Sequence, residues 1–529
     1  MNKLGIDYPV GVQTFERIIA ERKVYIDKTD LVWKLAHVSP YVFLGRPRRF
    51  GKSLLVTTLQ SYFEGRRDLF EGLKIMEYEE DWKAYPVIRL DLSTAKNQGS
   101  LQELKDALLF RMRNYCEQYG IDRSNLSPGQ CFESIISQAY KEGNSQVVVL
   151  VDEYDAPLLD VLHDEARMED YKRVMQEFFQ PLKACEGMIR FCFITGITKF
   201  SQLSIFSTLN NISNLTMHPD FAAICGITEH ELATVMAPDI TMLAEHEGCT
   251  PAEMHQQLKS RYDGYHFSRD SEDVYNPYSL MNCFAQKEVS DFWFDSGTSS
   301  YLLKQMRRFN TDFTRLDNIV ASSADFNLPT ESMTNALPLL YQSGYLTIKG
   351  YDRISQAYML GIPNREVRVG IMRGLLPIYS GLSNRDVQLG CAYKMWRSLD
   401  GGDVEQAMRE LQTFLAGVPY VSGFKKELAK ASTREGFWEY SMYLIFSMMN
   451  IYVQTQVHCW GGRIDMVVFA SAATYVIEFK IGGTARQALE QIDTHSYADP
   501  FATAPKPVVK VGVLFDLDVW NIKDWVVSK

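Results

Sequence analysis

Two sets of residues in this chain have types and spacings that can do chemistry. The first is Gly45-Arg46-Pro47-Arg48-Arg49-Phe50-Gly51-Lys52-Ser53. A loop that ends in Gly-Lys-Ser where a helix begins offers phosphate a row of backbone N–H groups and the positive end of that helix. In such a loop Lys52 reaches the β and γ oxygens, and the Ser53 hydroxyl ligates magnesium. Gly45 and Gly51 supply the backbone that lets the chain turn around the phosphates. The common spacing would put a glycine at 46; here 46 is arginine and the glycine stands at 45. Arg46, Arg48 and Arg49 add positive charge that could touch phosphate, in this subunit or a neighbouring one. The spacing fits ATP and GTP equally.

Downstream, the run Val147-Val148-Val149-Leu150-Val151 ends in Asp152-Glu153. An apolar run of this length is a buried parallel strand. At its tip Asp152 would hold magnesium, and Glu153 would polarise an attacking water. Two acids closing a strand could instead be a solvated strand end, but a phosphate loop upstream favours the metal. A third strand, Arg190-Phe191-Cys192-Phe193-Ile194, ends in Thr195-Gly196-Ile197-Thr198-Lys199. A small polar residue at that tip could contact the γ-phosphate, which makes Thr195 a sensor candidate ahead of Thr198, Lys199 and Arg190. A threonine at such a position could also simply cap the next element.

The second set lies near the C-terminus. Gly461-Gly462-Arg463-Ile464-Asp465 runs into the apolar strand 466–469, and Tyr475-Val476-Ile477-Glu478-Phe479-Lys480 forms the next one. Side chains alternate along a strand, so Glu478 and Lys480 share a face and Phe479 takes the other. Charges on a face of an otherwise apolar strand need a partner or a metal. Asp465 and Glu478 would hold magnesium, with manganese as a substitute, for phosphodiester hydrolysis. Lys480 would orient water or stabilise developing negative charge. Asp465, Glu478 and Lys480 match the Asp, Glu-x-Lys spacing of a PD-(D/E)XK nuclease core, and the helix 485–492 offers Gln491 toward them. Glu478 and Lys480 could also form a plain ion pair in an inactive binding remnant.

The elements that must position these groups imply an α/β fold. At 529 residues the chain exceeds the size of one core and implies about three or four folding units. The strand 41–44 leads into the loop, and a helix over 54–63 follows, with Leu55, Leu59 and Phe63 on one face. The reading is a P-loop domain with a parallel sheet over 1–227, a helical lid over 228–325 and a winged-helix-like module over 326–380. A restriction-endonuclease-like α/β domain over 381–529 completes it. The aromatic loop Tyr262-Asp263-Gly264-Tyr265-His266-Phe267 could stack on adenine, although packing is the commoner use of such a loop. The helix at 337–344 is poor in Lys and Arg, which favours a spacer over a DNA reader.

The bulk composition excludes little. Hydrophobic residues are 46% and charged residues 23%, ordinary for a globular protein, and the net charge of −10 argues against non-specific coating of nucleic acid. Nine dispersed cysteines without a CxxC pair read as reduced thiols. No signal-like segment opens the chain, and no apolar run approaches a membrane span. A cytoplasmic location with no membrane partner is the expectation.

These stretches together resemble a family. The chain is similar to the AAA-ATPase-like bacterial proteins that join a P-loop module to a C-terminal PD-(D/E)XK nuclease-like domain. The resemblance is carried by Tyr25-Ile26-Asp27-Lys28-Thr29, the 46–53 loop, Val151-Asp152-Glu153-Tyr154-Asp155-Ala156-Pro157 and Thr195-Gly196-Ile197-Thr198-Lys199-Phe200. It continues through Ser204-Ile205-Phe206-Ser207-Thr208-Leu209-Asn210-Asn211, Tyr262-Asp263-Gly264-Tyr265, Asn276-Pro277 and the C-terminal cluster. Arginine at 46 is this family's habit. The resemblance implies ATP as the nucleotide, magnesium at both sites, and nucleic acid, in the first instance DNA, as the partner. It also implies a further metal-binding acid at Glu439, on a helix over 438–449, with Glu435 as a substitute. A homo-oligomer is left open. The alternative function is a signalling switch ATPase whose C-terminal domain only binds nucleic acid or protein.

Overall fold

A computed structural model describes residues 8–96, 99–162, 164–198, 211–293, 302, 305–306, 308–309, 311, 316–328, 333–380, 385–416, 452–459, 462–502, 506–516 and 521–528. The chain divides into two compact units, 1–311 with 316–364, and 312–315 with 365–529. The division falls ahead of the 380/381 boundary expected from the sequence.

The first unit is built on a five-stranded parallel sheet of β1 (Tyr41–Gly45), β2 (Val87–Asp91), β3 (Val147–Asp152), β4 (Ile189–Gly196) and β5 (Ser213–Asn214), in the order β2-β3-β4-β1-β5. Strands β1 and β3 are buried along their whole length, which is why both read as unbroken apolar runs. β4 stands between them, pairing Leu44 with Thr195 on one side and Val151 with Ile194 on the other. The phosphate loop, the acid pair and the 195–198 turn therefore leave the same edge, at the carboxyl ends of adjacent strands, where open α/β sheets bind ligands. The helix Pro128–Gly143 returns the chain to β3. A capping box of Ser127 and Gln130 opens it, and Asn144 in a left-handed conformation follows it.

The part of this unit after β5 combines short helices with two small sheets. Short helices Glu229–Val235, Ala237–Glu247, Pro251–Tyr262 and Pro277–Gln286 share a core of Leu232, Met254, Leu258, Tyr262 and Leu280. They are joined by the small ribbon β6 (Ile227–Thr228) and β7 (Val274–Tyr275). The expected helix and two-strand ribbon appear as Leu337–Gln342, β9 (Thr347–Asp352) and β10 (Ala357–Gly361). A third strand, β8 (Ile319–Ala321), pairs with β10. No helix among the described residues is long and apolar enough to cross a membrane.

The second unit carries helices Arg365–Ser380, Arg385–Asp400 and Val404–Ala416 and a five-stranded sheet in chain order: β11 (Tyr452–Cys459), β12 (Gly462–Phe469), β13 (Thr474–Lys480), β14 (Val508–Asp516) and β15 (Asn521–Ser528). Only β13 and β14 are parallel, and the crossover between them contains the helix Ala485–Thr494. Gly512 sits in register with Glu478, and a Cβ there would fall 2.3 Å from the Ala485 carbonyl oxygen and 2.6 Å from Leu489 N. The bare glycine lets the helix lie on the sheet beside the Glu478 position.

Gly512→Val should therefore push the helix off the sheet and destabilise the second unit by about 1–3 kcal/mol. Thermal unfolding of the full chain reads this out; a variant that melts at the wild-type temperature would contradict the close packing.

Candidate functional site

At the phosphate loop, the helix Lys52–Phe63 begins at Gly51, whose φ of 82° favours glycine, and no side chain caps its amino end. Its first amides are thus left for an outside acceptor. Lys52 is buried, and its Nζ donates to the carbonyls of Arg46 at 3.0 Å and Pro47 at 2.9 Å. Burial pulls the Lys52 pKa down, opposed by the nearby carboxylates of Asp152, Glu153 and Asp155. The Ser53 hydroxyl stands close enough to Asp152 to oppose the rise that burial imposes on that carboxyl. A hydroxyl and a carboxylate already facing each other, with a lysine beside them, fit a magnesium–nucleotide complex in the chemistry of their donors.

Arg46, expected to add charge toward phosphate, is committed instead to the protein's own backbone. Its side chain is buried beneath the loop, where it donates to the carbonyls of Gly45 and Thr216 at 2.8 Å and of Phe221 at 2.8 Å. Its guanidinium also lies 4.3 Å from the Phe267 ring centre. A residue locked inside its own subunit cannot serve a neighbour's nucleotide. Arg48 is exposed, and its carbonyl accepts from Trp293 Nε1 at 3.1 Å. Arg49 adopts φ of 67° and lies over Tyr278, 4.6 Å from the ring centre.

Asp152 is 5% exposed, and its Oδ1 accepts from Glu153 N at 2.9 Å. Glu153 takes φ of 47°, a conformation that costs a non-glycine residue energy and persists where surroundings enforce it. Burial raises the pKa of both acids. Asp91, paired with Asp152 at the end of β2, adds to both shifts; nothing in the sequence reading pointed to it, because its run of β-residues ends without a motif.

Thr195 requires a correction as a sensor. It is fully buried, and its hydroxyl donates to the Leu44 carbonyl at 2.6 Å, so it stitches β4 to β1 inside the sheet. Arg190 is the second residue of β4, at the end of the strand away from the loop. Thr198 is also buried, its hydroxyl given to Asp155 at 2.6 Å. Lys199, Phe200 and 204–210 lie outside the described residues.

The aromatic loop packs and does not present a stacking face. Tyr265 and Phe267 are buried, and both meet Phe50 of the phosphate loop edge-on, with ring centres at 4.7 and 5.3 Å.

In the second unit, Asp465 and Glu478 meet where β12 and β13 part. The ladder ends at Met466 and Ile477, and beyond it the carboxylates take the place of carbonyls. Phe479 N donates to Asp465 Oδ2 at 2.9 Å and Asp465 N to Glu478 Oε2 at 3.4 Å. Gln491, carried in by the helix, links the remaining members: its Nε2 donates to Glu478 Oε1, and its Oε1 accepts from Lys480 Nζ at 2.7 Å. Glu478 is 3% exposed; burial first, and then the Asp465 charge, push it up to about 8. Two carboxylates that resist joint ionisation are a donor set a divalent cation would relieve. Among the described residues no three acids, histidines or cysteines gather to hold a metal. Glu439, Glu435 and the helix expected over 438–449 lie outside the described residues.

Residues 9–206 match the family model AAA-ATPase_like, described as predicted AAA-ATPase, and residues 433–525 match the model of the PD-(D/E)XK nuclease superfamily. An uncharacterized protein from the vnfD 5' region of Azotobacter chroococcum mcd 1 is 29% identical over 526 residues, covering 98% of each chain. Chains of Drosophila ORC bound with Cdc6 to GC-rich DNA, or to poly(dA/dT) DNA, are similar at 11% and 12% identity over 83% of this chain. This chain spans 62% of their length, and the TM-score of 0.22 in both cases is too low to carry an argument.

The raised Glu478 pKa has a defined sign. Folding takes up a proton there between the ordinary carboxylate range and about pH 8, so metal-free stability falls as pH rises through that window. With chelator present, the second unit's thermal transition should drop as pH rises across it, and added manganese should restore more at the alkaline end. Glu478→Gln should flatten the slope; an unchanged slope in that variant would contradict the assignment.

Proposed function

We propose that this chain, which joins an AAA-ATPase-like domain to a PD-(D/E)XK superfamily domain, hydrolyses ATP and couples it to metal-dependent cleavage of nucleic acid, in the first instance DNA. The observation that carries the nuclease reading is the Lys480–Gln491–Glu478 chain beside Asp465. In an ordinary ion pair Lys480 would bond Glu478 itself. Here a neutral amide stands between them and leaves the lysine at the rim of the carboxylate pair.

Magnesium or manganese, when bound, would polarise the scissile phosphate and favour ionised water. Asp465 and Glu478 would hold it, and Lys480 would stabilise negative charge as water adds to phosphorus and the P–O bond to the leaving strand breaks. In the ATPase half, Lys52 and the first helical amides would hold the β and γ phosphates, Ser53 and Asp152 the magnesium, and Glu153 the attacking water. Arg48 and Arg49, exposed within the loop, would add positive charge near the phosphates.

A second reading, a switch ATPase with a C-terminal binding module, draws on the bonds that tie Glu478 to Gln491 and Gln491 to Lys480 in a closed polar cluster. Incubating linear and circular DNA with magnesium or manganese, with and without ATP, separates the two. Wild-type cleavage that is lost in Lys480→Ala and changes with ATP is the expected result. Binding without cleavage of DNA or RNA under every condition would favour the switch.

A further inference from the structure

We propose that Asp155 is a positioning residue for ATP hydrolysis, setting where Glu153 stands relative to the phosphate loop. This rests on reading the 45–53 loop and the β3 acids as an ATPase site.

Asp155 is 1% exposed, and one of its oxygens, Oδ2, accepts three hydrogen bonds: from Ile197 N at 3.0 Å, Thr198 N at 2.7 Å and Thr198 Oγ1 at 2.6 Å. Its neighbour Tyr154 reinforces the same junction, with N donating to Thr195 O at 3.2 Å and the hydroxyl to Thr198 O at 2.9 Å. The turn that leaves β4 is thereby bound to the segment just past Glu153. On its other side the same strand tip is bound to the phosphate loop. Arg46 N donates to Gly196 O at 3.2 Å, and Thr195 Oγ1 to Leu44 O.

Space enforces the arrangement as well. A Cβ on Gly196 would lie 2.4 Å from Asp155 Oδ1 and 2.7 Å from the Tyr154 ring, so the strand tip and the two side chains are in direct contact. Glu153 is thus held from both ends, its own amide on Asp152 and the next two residues on β4. A left-handed glutamate relaxes unless its flanks are fixed, and Asp155 is the charged group that fixes one of them. The carboxylate acts through backbone, so its loss should move the rate of the chemical step more than nucleotide affinity.

Steady-state ATP hydrolysis by the full chain with magnesium tests this in wild type, Glu153→Gln and Asp155→Asn, with ATP binding and thermal unfolding followed in parallel. Asp155→Asn keeps the size and removes the charge. The expected result is kcat lowered on the order of tenfold or more, KM for ATP within about threefold, and binding retained. If Asp155→Asn does not fold, Thr198→Val removes one of the three bonds from the far side and should lower kcat by a smaller factor with the same split. Wild-type kcat in the folded variant while Glu153→Gln is inactive would overturn the positioning role and leave the ATPase reading standing. Parallel loss of kcat and binding would mark a structural role only and overturn it too. A wild type that binds ATP without turning it over would remove the ATPase reading itself, and the proposal with it.

Discussion

A charged guanidinium sealed beneath the 45–53 loop holds the proposed nucleotide site together. Arg46 is 1% exposed, and burial pulls its pKa down only to about 10, so it remains charged near neutrality. Hydrogen bonds to a buried charge contribute about 1.5–3 kcal/mol each, and removing their partners leaves carbonyls unsatisfied. Arg46 donates to Gly45 at the end of the loop strand and to Thr216 and Phe221 in the segment that follows β5. The loop therefore takes its shape from a strut below it, where the common spacing uses a glycine for freedom of turn. The Lys52 ammonium sits on the carbonyls of Arg46 and Pro47, so the strut also places the lysine proposed to hold phosphate.

The same residue links the loop to the rest of the first unit. Phe267 receives the guanidinium on its face and Phe50 on its edge, and Tyr265 packs against Phe50 too. From that aromatic loop, His266 N reaches Thr347 Oγ1 at 2.7 Å and the Asp263 carbonyl accepts from Asn364 Nδ2 at 2.9 Å. Gly344, with φ of 83°, brings the three-stranded module against Pro47, where a Cβ would stand 2.7 Å from the proline Cβ. Phosphate loop, helical region and strand module thus share one packed junction. It reaches Asn364, the last residue of the unit before the chain enters the second one.

What the sequence made legible was what is local. Gly51-Lys52-Ser53 between an apolar strand and a helix, and Asp152-Glu153 closing a valine run, need only neighbours in sequence to be recognised; the strands and the helix formed, the helix buried well beyond the single face read from Leu55, Leu59 and Phe63. In the second unit, period-two alternation put Glu478 and Lys480 on one face, the preceding strand brought Asp465 beside them, and Gln491 arrived on the expected helix. Commitments made across the fold were not legible. Thr195 and Arg46 carry the right groups for phosphate, but their partners, Leu44 and the 216–221 carbonyls, are set by strand order and by a segment far downstream. Strand β8 is three residues long and pairs with β10 across intervening chain, too short to announce itself by alternation. Asp91 and Asp155 matter through what stands beside them, which no spacing reports.

The claim that a buried arginine shapes the phosphate loop is tested most directly by ATP affinity in Arg46→Gly, which restores the glycine of the common spacing. Magnesium–ATP titration of wild type and variant, with the fold checked by thermal unfolding, gives the answer. The account predicts binding weakened on the order of tenfold or more, because the carbonyls at 45, 216 and 221 lose their donor and the loop its support. An Arg46→Gly protein that stays folded and binds ATP as tightly as wild type would contradict it.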